Sequence, residues 1–79
     1  MTDGEMNRLR WQCRRGMLEN DLVLERFLEV HGARLEGGRL AALRALLEYP
    51  DDELWSVVSG RRECRDPALA EVVQLLRRC

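Results

Sequence analysis

Residues 11–19 read Trp-Gln-Cys-Arg-Arg-Gly-Met-Leu-Glu, and they lie where one helical pattern ends and the next begins. A glycine adopts backbone angles that would strain a residue with a Cβ atom, so Gly16 predicts a turn between two helices. The arginines before Gly16 and the glutamate after it are then displayed at a corner instead of along one helix face. This corner is the feature of the sequence that points most directly to function.

Apolar residues recur at helical spacing in five segments of the chain. The predicted helices cover approximately residues 5–15, 19 or 21 to 31, 39–48, 52–59, and 67 onward. No segment shows the strict alternation of a half-buried strand, and the connections are short. The sequence therefore predicts an all-α fold in which residues 1–79 form a single small five-helix bundle. We expect the first few residues and the loop at 33–38 to be mobile.

Residues with short polar side chains mark several of the predicted helix starts. The predicted N-caps are Asn20 or Asp21 for the second helix, Asp51 for the fourth and Asp66, followed by Pro67, for the fifth. Gly32 and Gly60 are the expected ends of the second and fourth helices. The third helix follows Gly37-Gly38, which offers no side-chain cap, so its start is weakly marked.

Length and composition limit the classes of function. A chain of 79 residues has little room for a core and a deep active-site cavity together. The formal net charge is −1, whereas nucleic-acid modules usually carry a clear basic excess. All 13 basic residues are arginines, which excludes Schiff-base and lysine general-base chemistry. These features favour a binding or assembly module that is not an enzyme and does not bind nucleic acid.

The cysteines and the single histidine do not form a metal motif. Cys13, Cys64 and Cys79 are far apart, and a structural zinc site needs about four Cys or His ligands in close pairs. An odd cysteine count without a signal peptide indicates a reduced cytoplasm, and no apolar run reaches the roughly 20 residues that span a bilayer. We expect a cytoplasmic protein without a metal, with Cys13 in the core and His31 partly buried at a helix end.

Charge changes sign across the corner. Residues 7–15 contain four arginines and no acid, whereas residues 19–29 contain four acids and one arginine. The side chains concerned are Arg8, Arg10, Arg14 and Arg15, followed by Glu19, Asp21, Glu25, Arg26 and Glu29. A basic strip beside an acidic strip orients the encounter with a protein partner. The alternative is that Arg15 pairs with Glu19 across the turn and the other charges are ordinary solvated groups.

Two further groups of residues also allow two interpretations. Trp11 and Trp55 are most simply packing residues, although Trp11 stands beside the corner and could contact a partner. The acids at 51–53 are most simply helix-capping residues, and a second partner patch is the alternative.

The pattern Trp11-x-Cys13-Arg14-Arg15-Gly16-Met17-x-Glu19 resembles the signature of the SdhE (YgfY-like) family of succinate dehydrogenase assembly factors. Its centre is an R-G-x-x-E motif, met here by Arg15, Gly16 and Glu19. The resemblance continues through Asp21, Phe27, Leu46-Leu47-Glu48 and Asp51-x-x-Leu54-Trp55, and covers roughly residues 8–76. The chain departs from the family pattern at 35–38, which lacks the usual serine cap, and at Pro50, where aspartate is common.

The resemblance implies a five-helix protein that binds the apo flavoprotein subunit of succinate dehydrogenase, and in some bacteria of fumarate reductase. It would promote covalent attachment of FAD to that partner, and the sequence itself offers no motif for stable binding of a cofactor by this chain. By the same resemblance, Arg15 and Glu19 would contact the partner and Gly16 would set the corner, with Arg10, Trp11, Arg14 and Asp21 completing the binding surface. The alternative function is that of an antitoxin or a regulatory interaction protein.

Overall fold

A computed structural model describes residues 2–79, which form five α-helices and one short 3-10 helix and contain no strand. The helices are α1 (Asp3–Cys13), α2 (Leu18–His31), α3 (Gly37–Leu46), α4 (Asp51–Val58) and α5 (Pro67–Arg77), and the 3-10 helix is Gly32–Arg34. The predicted all-α five-helix bundle is therefore confirmed.

Helix α2 lies in the middle of the bundle. It packs against α1, α4 and α5, and α3 packs against α5. Leu24, Phe27 and Leu28 are spaced to share one face of α2, and all three are buried. Burying side chains of this size stabilises the fold by roughly 1.5–3 kcal/mol each, so these three residues anchor α2 in a core that all five helices share.

The first helix begins and ends earlier than predicted. Its N-cap is Thr2, whose hydroxyl accepts a 3.2 Å hydrogen bond from the Glu5 N–H, and its last residue is Cys13. Arg14 and Arg15 therefore lie outside the helix, although the predicted bounds of 5–15 included them. The chain leaves the helix because the backbone N–H and the guanidinium group of Arg15 donate hydrogen bonds to acceptors outside α1, as described below.

The N-caps predicted for α2 and α4 are wrong. Met17 precedes α2 and Pro50 precedes α4, and neither provides a side-chain cap. Asn20 and Asp51 bond across the bundle and Asp21 bonds to the backbone of residues 15 and 16, so these other contacts override capping propensity. For α5 the prediction is confirmed, because Asp66 Oδ1 accepts a 2.9 Å hydrogen bond from the Ala68 N–H and Pro67 is the first helical residue.

The segment at 33–38 is more regular than the sequence suggested. Residues 32–34 continue α2 as a 3-10 turn, Leu35 is buried, and α3 begins at Gly37 instead of residue 39. Helix α3 also ends at Leu46, two residues before the predicted end. The residues after Leu46 turn toward α4, and their carbonyl groups become part of the candidate site.

Candidate partner-binding corner

The corner consists of residues 14–17, which connect α1 to α2. Gly16 has φ +88°, a left-handed conformation that L side chains rarely adopt, so the predicted role of this glycine is confirmed. The Asp21 carboxylate accepts hydrogen bonds from the backbone N–H groups of Arg15 (2.8 Å) and Gly16 (3.2 Å). Asp21 therefore reaches back from the first turn of α2 and fixes the backbone of the corner.

The side chain of Arg15 points into the protein. Its Nε donates to Asp51 Oδ1, Nη1 donates to the Leu47 carbonyl oxygen and Nη2 donates to the Tyr49 carbonyl oxygen. Only 14% of the Arg15 side chain is exposed, against 40% for Asp51. Arg15 thus ties the corner to the turn between α3 and α4, more than 30 residues away in sequence. The alternative of an Arg15–Glu19 pair is wrong.

Asn20 provides a second connection between the same two segments. It is 1% exposed, and its Nδ2 donates to the Asp51 carbonyl oxygen at 3.0 Å. A second contact joins Nδ2 to the Met17 sulfur at 3.4 Å. A buried amide is costly unless it is hydrogen-bonded, and the bond to the α4 start satisfies Nδ2, whereas the buried Oδ1 has no partner within residues 2–79. It does not serve as the N-cap that its sequence position suggested.

The residues that face solvent around the corner differ from those that hold it together. Glu19 is exposed in the first turn of α2 and forms no ion pair within residues 2–79. Arg14 is exposed, and Trp11 is 74% exposed on α1. The simplest prediction for Trp11, that it packs in the core, is wrong. Trp55, by contrast, is half-buried against the core, as predicted.

Two exposed leucines that were not predicted as site residues extend this surface. Leu18 is 67% exposed and Leu22 is 51% exposed. They stand four residues apart in α2 and therefore lie on one side of the helix. Leu18 lay before the predicted start of α2, and Leu22 lay within the predicted helix but was not assigned a role. The signal that distinguishes both is their position outside the stripe formed by Leu24, Phe27 and Leu28.

A groove of about 490 Å³ lies between α1 and α2 beside the corner. It is lined by Arg10, Cys13, Arg14, Asp21, Glu25, Leu28 and Glu29. The two arginines come from the α1 side and the acids from α2, so the predicted basic and acidic strips do adjoin. Among residues 2–79 the ion pairs are Arg15–Asp51 and Arg39–Glu71, so the charged side chains of this groove are not paired with one another.

His31 and the remaining candidate residues have structural surroundings. His31 is half-buried at the end of α2, and its ring centroid lies 5.1 Å from that of Phe27, as the helix-terminal prediction required. In the part of the chain that the structure covers, no group of three His, Cys, Asp or Glu side chains is arranged to hold a metal ion. None of the helices described here has the length and apolar character needed to cross a bilayer.

Cys13 lies in the core, as predicted, and is 4% exposed. Burial raises the pKa of its thiol from 9.0 to about 11, against a smaller opposing effect of the Arg15 charge. Because the folded-state pKa is the higher one, the stability gained by burying the neutral thiol is complete below pH 9 and is lost as the pH rises toward 11.

Thiol labelling at pH 8 tests this environment. In the folded protein we expect Cys64 and Cys79, which are only partly buried, to react first with a thiol reagent. Cys13 should lag by about 100-fold or more, because a two-unit rise in pKa lowers the thiolate fraction by that factor. In urea all three thiols should react at similar rates. Equal rates in the folded protein would contradict the burial of Cys13.

Comparison with known proteins gives the family. The family model described as "flavinator of succinate dehydrogenase" matches residues 7–79. The chain belongs to this family of succinate dehydrogenase flavinators. Two flavinator-family relatives, both named FAD assembly factor SdhE, come from Legionella pneumophila strain Lens and Methylococcus capsulatus. The first is 40% identical over 100% of this chain and 99% of its own, and the second is 43% identical over 92% and 88%.

The family resemblance predicted from the R-G-x-x-E motif is thereby confirmed. A third flavinator-family relative, from Ralstonia nicotianae, carries the same name and is 39% identical over 89% of this chain and 78% of its own. No solved structure is significantly similar to the chain. None of these matches supports the alternative of an antitoxin or a regulatory interaction protein.

Proposed function

We propose that this chain is an FAD assembly factor that binds the apo flavoprotein subunit of succinate dehydrogenase and promotes covalent attachment of FAD to it. The observation that carries the proposal is the contrast at the R-G-x-x-E motif. Arg15 is turned inward and bonded, whereas Glu19 and its sequence neighbour Leu18 face solvent, as does Trp11 near the end of α1. An exposed carboxylate together with exposed apolar side chains is suited to a protein partner.

The chain contributes binding energy and shape in this proposal. Trp11 and Leu18 would supply apolar contact area, since exposed aromatic side chains are frequent anchors at protein interfaces. Glu19 would accept a hydrogen bond or pair with a cation of the partner, and the charged groove between α1 and α2 would orient the encounter. The flavin and the residue that it modifies would both belong to the partner, which the assembly factor holds in a competent arrangement.

Reconstitution tests the proposal. Purified apo flavoprotein and FAD are incubated with and without this chain, and covalent flavin is measured after denaturing electrophoresis by its fluorescence. We expect the chain to increase the rate of covalent attachment and to form a complex with the apo flavoprotein. Equal rates in both incubations, with no complex detected, would contradict the proposal. The same assay with the fumarate reductase flavoprotein tests the second client that the resemblance implied.

Substitution of Glu19 tests the exposed part of the motif. Glu19→Gln should weaken binding to the apo flavoprotein by about tenfold or more, because a charge-assisted hydrogen bond is worth roughly 1.5–3 kcal/mol. Glu53→Gln is the matched control, since Glu53 is also an exposed acid in the first turn of a helix. The control should bind like the unmodified chain. If both variants lose affinity equally, Glu19 has no specific contact with the partner.

A further inference from the structure

We propose that Asp51 is a positioning residue for partner binding, whose carboxylate acts through Arg15. This inference rests on the proposed function. It extends the binding motif from residues 15–19 to the start of α4. In this proposal the start of α4 does not contact the partner. It holds the corner in the shape that the partner recognises.

Asp51 touches the chain on both sides of Gly16. Its carboxylate accepts from Arg15, one residue before the glycine, and its carbonyl oxygen accepts from Asn20, directly after Glu19. The start of α4 is therefore hydrogen-bonded both to the corner and to the first turn of α2. Gly16 lies between the two attachment points, and the exposed Glu19 is next to one of them. The position of Glu19 relative to the bundle thus depends on Asp51.

Direct contact between Arg15 and a partner fits the structure poorly. The side chain is largely buried, and all three of its nitrogens donate to acceptors within the chain. A guanidinium group has five N–H donors in a fixed planar fork, so these bonds also fix its orientation. A partner that pulled Arg15 outward would leave the Asp51 carboxylate and two carbonyl oxygens without their donor. The side chain is therefore better placed to brace the corner than to bind.

The usual role of an acid at a helix start does not account for Asp51. Asp52 and Glu53 also lie in the first turn of α4 and are exposed. They supply favourable charge at the positive end of the helix whether or not Asp51 is present. What distinguishes the Asp51 side chain from theirs is its ion pair with Arg15, since the bond from Asn20 goes to the backbone of residue 51. Asp52 is accordingly the matched control for Asp51.

A rigid corner should affect the affinity for the partner and leave the chemistry unchanged. A surface that is already ordered loses less conformational freedom on binding, so it binds more tightly for the same contacts. Loosening the corner should raise the concentration of assembly factor needed for half-maximal flavinylation. Once the complex is saturated, the maximal rate should be the same, because the contacts themselves are retained.

The experiment compares Asp51→Ala with Asp52→Ala in reconstituted flavinylation at increasing concentrations of assembly factor. For Asp51→Ala we expect about a tenfold rise in the half-saturating concentration, an unchanged maximal rate and a folded circular dichroism spectrum. Asp52→Ala should match the unmodified chain. If Asp51→Ala is folded at the assay temperature and its half-saturating concentration is unchanged, Asp51 has only a structural role. Should Asp51→Ala fail to fold, Asp51→Asn, which keeps an acceptor oxygen, is used in its place. It should raise the half-saturating concentration by a smaller factor.

A double-mutant cycle distinguishes positioning from direct contact. Arg15→Ala and Asp51→Ala are combined, and the loss of affinity in the double variant is compared with the single losses. If Asp51 acts through Arg15, the double variant should lose little more than Arg15→Ala alone. Additive losses would mean that the two residues act separately, and would overturn the proposal.

Hydrogen exchange of the free chain tests the same inference without the partner. The backbone N–H groups of Arg15 and Gly16 should exchange about tenfold faster in Asp51→Ala than in Asp52→Ala, because the corner opens more often. Unchanged exchange would overturn the inference even where partner binding is normal. If the unmodified chain does not bind the flavoprotein, the proposed function fails, and the exchange result still decides whether Asp51 holds the corner.

Discussion

Gly16→Arg should abolish support of flavinylation, whereas Gly60→Arg should leave it intact. The two glycines form a natural pair, because Gly16 has φ +88° and Gly60 has φ +87°. At both positions an added Cβ would meet no atom within 4 Å. An L residue in this left-handed conformation costs roughly 1–2 kcal/mol, so the two variants should be destabilised to a similar extent.

The difference between the variants lies in what surrounds the new side chain. At Gly16 an arginine would project from the corner beside Glu19, where the partner is proposed to bind. At Gly60 it would project from the end of α4, away from the motif in sequence. A large side chain placed in an interface creates a steric clash and leaves an unpaired charge. Together these cost more binding free energy than an ordinary interface contact contributes.

The measurement compares both variants in reconstituted flavinylation, with thermal unfolding as the control. We expect similar melting temperatures for the two variants, and a loss of flavinylation rate of about 100-fold or more for Gly16→Arg alone. Equal losses in the two variants would show that strain, and not the surface at Gly16, limits function. Normal activity of Gly16→Arg would place the partner elsewhere on the chain.

Arg15→Ala should lower the free energy of unfolding by about 2 kcal/mol, because it leaves the Asp51 carboxylate and the carbonyls of Leu47 and Tyr49 without their donor. Breaking a fully buried ion pair costs roughly 3–5 kcal/mol, and the exposure of Asp51 reduces that cost. The matched control is Arg14→Ala, since Arg14 is the exposed neighbour of Arg15.

Urea denaturation measures this difference. Arg14→Ala should stay within about 0.5 kcal/mol of the unmodified chain, as most exposed substitutions do. A clearly larger loss of unfolding free energy for Arg15→Ala than for Arg14→Ala would confirm that Arg15 stabilises the fold. Equal stability of both variants would mean that the bonds of Arg15 contribute little, and would weaken the case for a braced corner.

The helices could be predicted from the sequence because their signals are local. The apolar spacing of α2 and α5 and the Asp66-Pro67 start of α5 involve residues within a few positions of each other. The turn at Gly16 was likewise predictable, because a positive φ nearly requires glycine at that point. Each of these features depends only on the local sequence of its own segment.

The bonds of the corner could not be predicted, because their partners are distant in sequence. Arg15 and Asp51 are 36 residues apart, and nothing local to either residue indicates the other. Asn20, Asp21 and Asp51 all have N-cap character, so capping was the natural prediction for each. For Asn20 and Asp51 a bond to a distant segment replaced capping, and for Asp21 the bonds go back to the backbone of the corner, five and six residues upstream.

The exposed part of the site was predictable only in part. The sequence placed Glu19 and Arg14 at the corner, but it could not show that Arg15 faces inward while Glu19 faces outward. It also placed Leu18 before the start of α2 and so made no prediction about the exposure of Leu18. Exposure depends on how α1 and α2 pack, and periodicity alone does not determine that packing.

The proposed function is tested most directly by the amount of covalent flavin on the succinate dehydrogenase flavoprotein in cells that lack this chain. Flavin fluorescence of the denatured subunit should fall strongly in such cells. It should return when the unmodified chain or Gly60→Arg is supplied, and it should stay low with Gly16→Arg. Normal flavin fluorescence in cells without the chain would contradict the account.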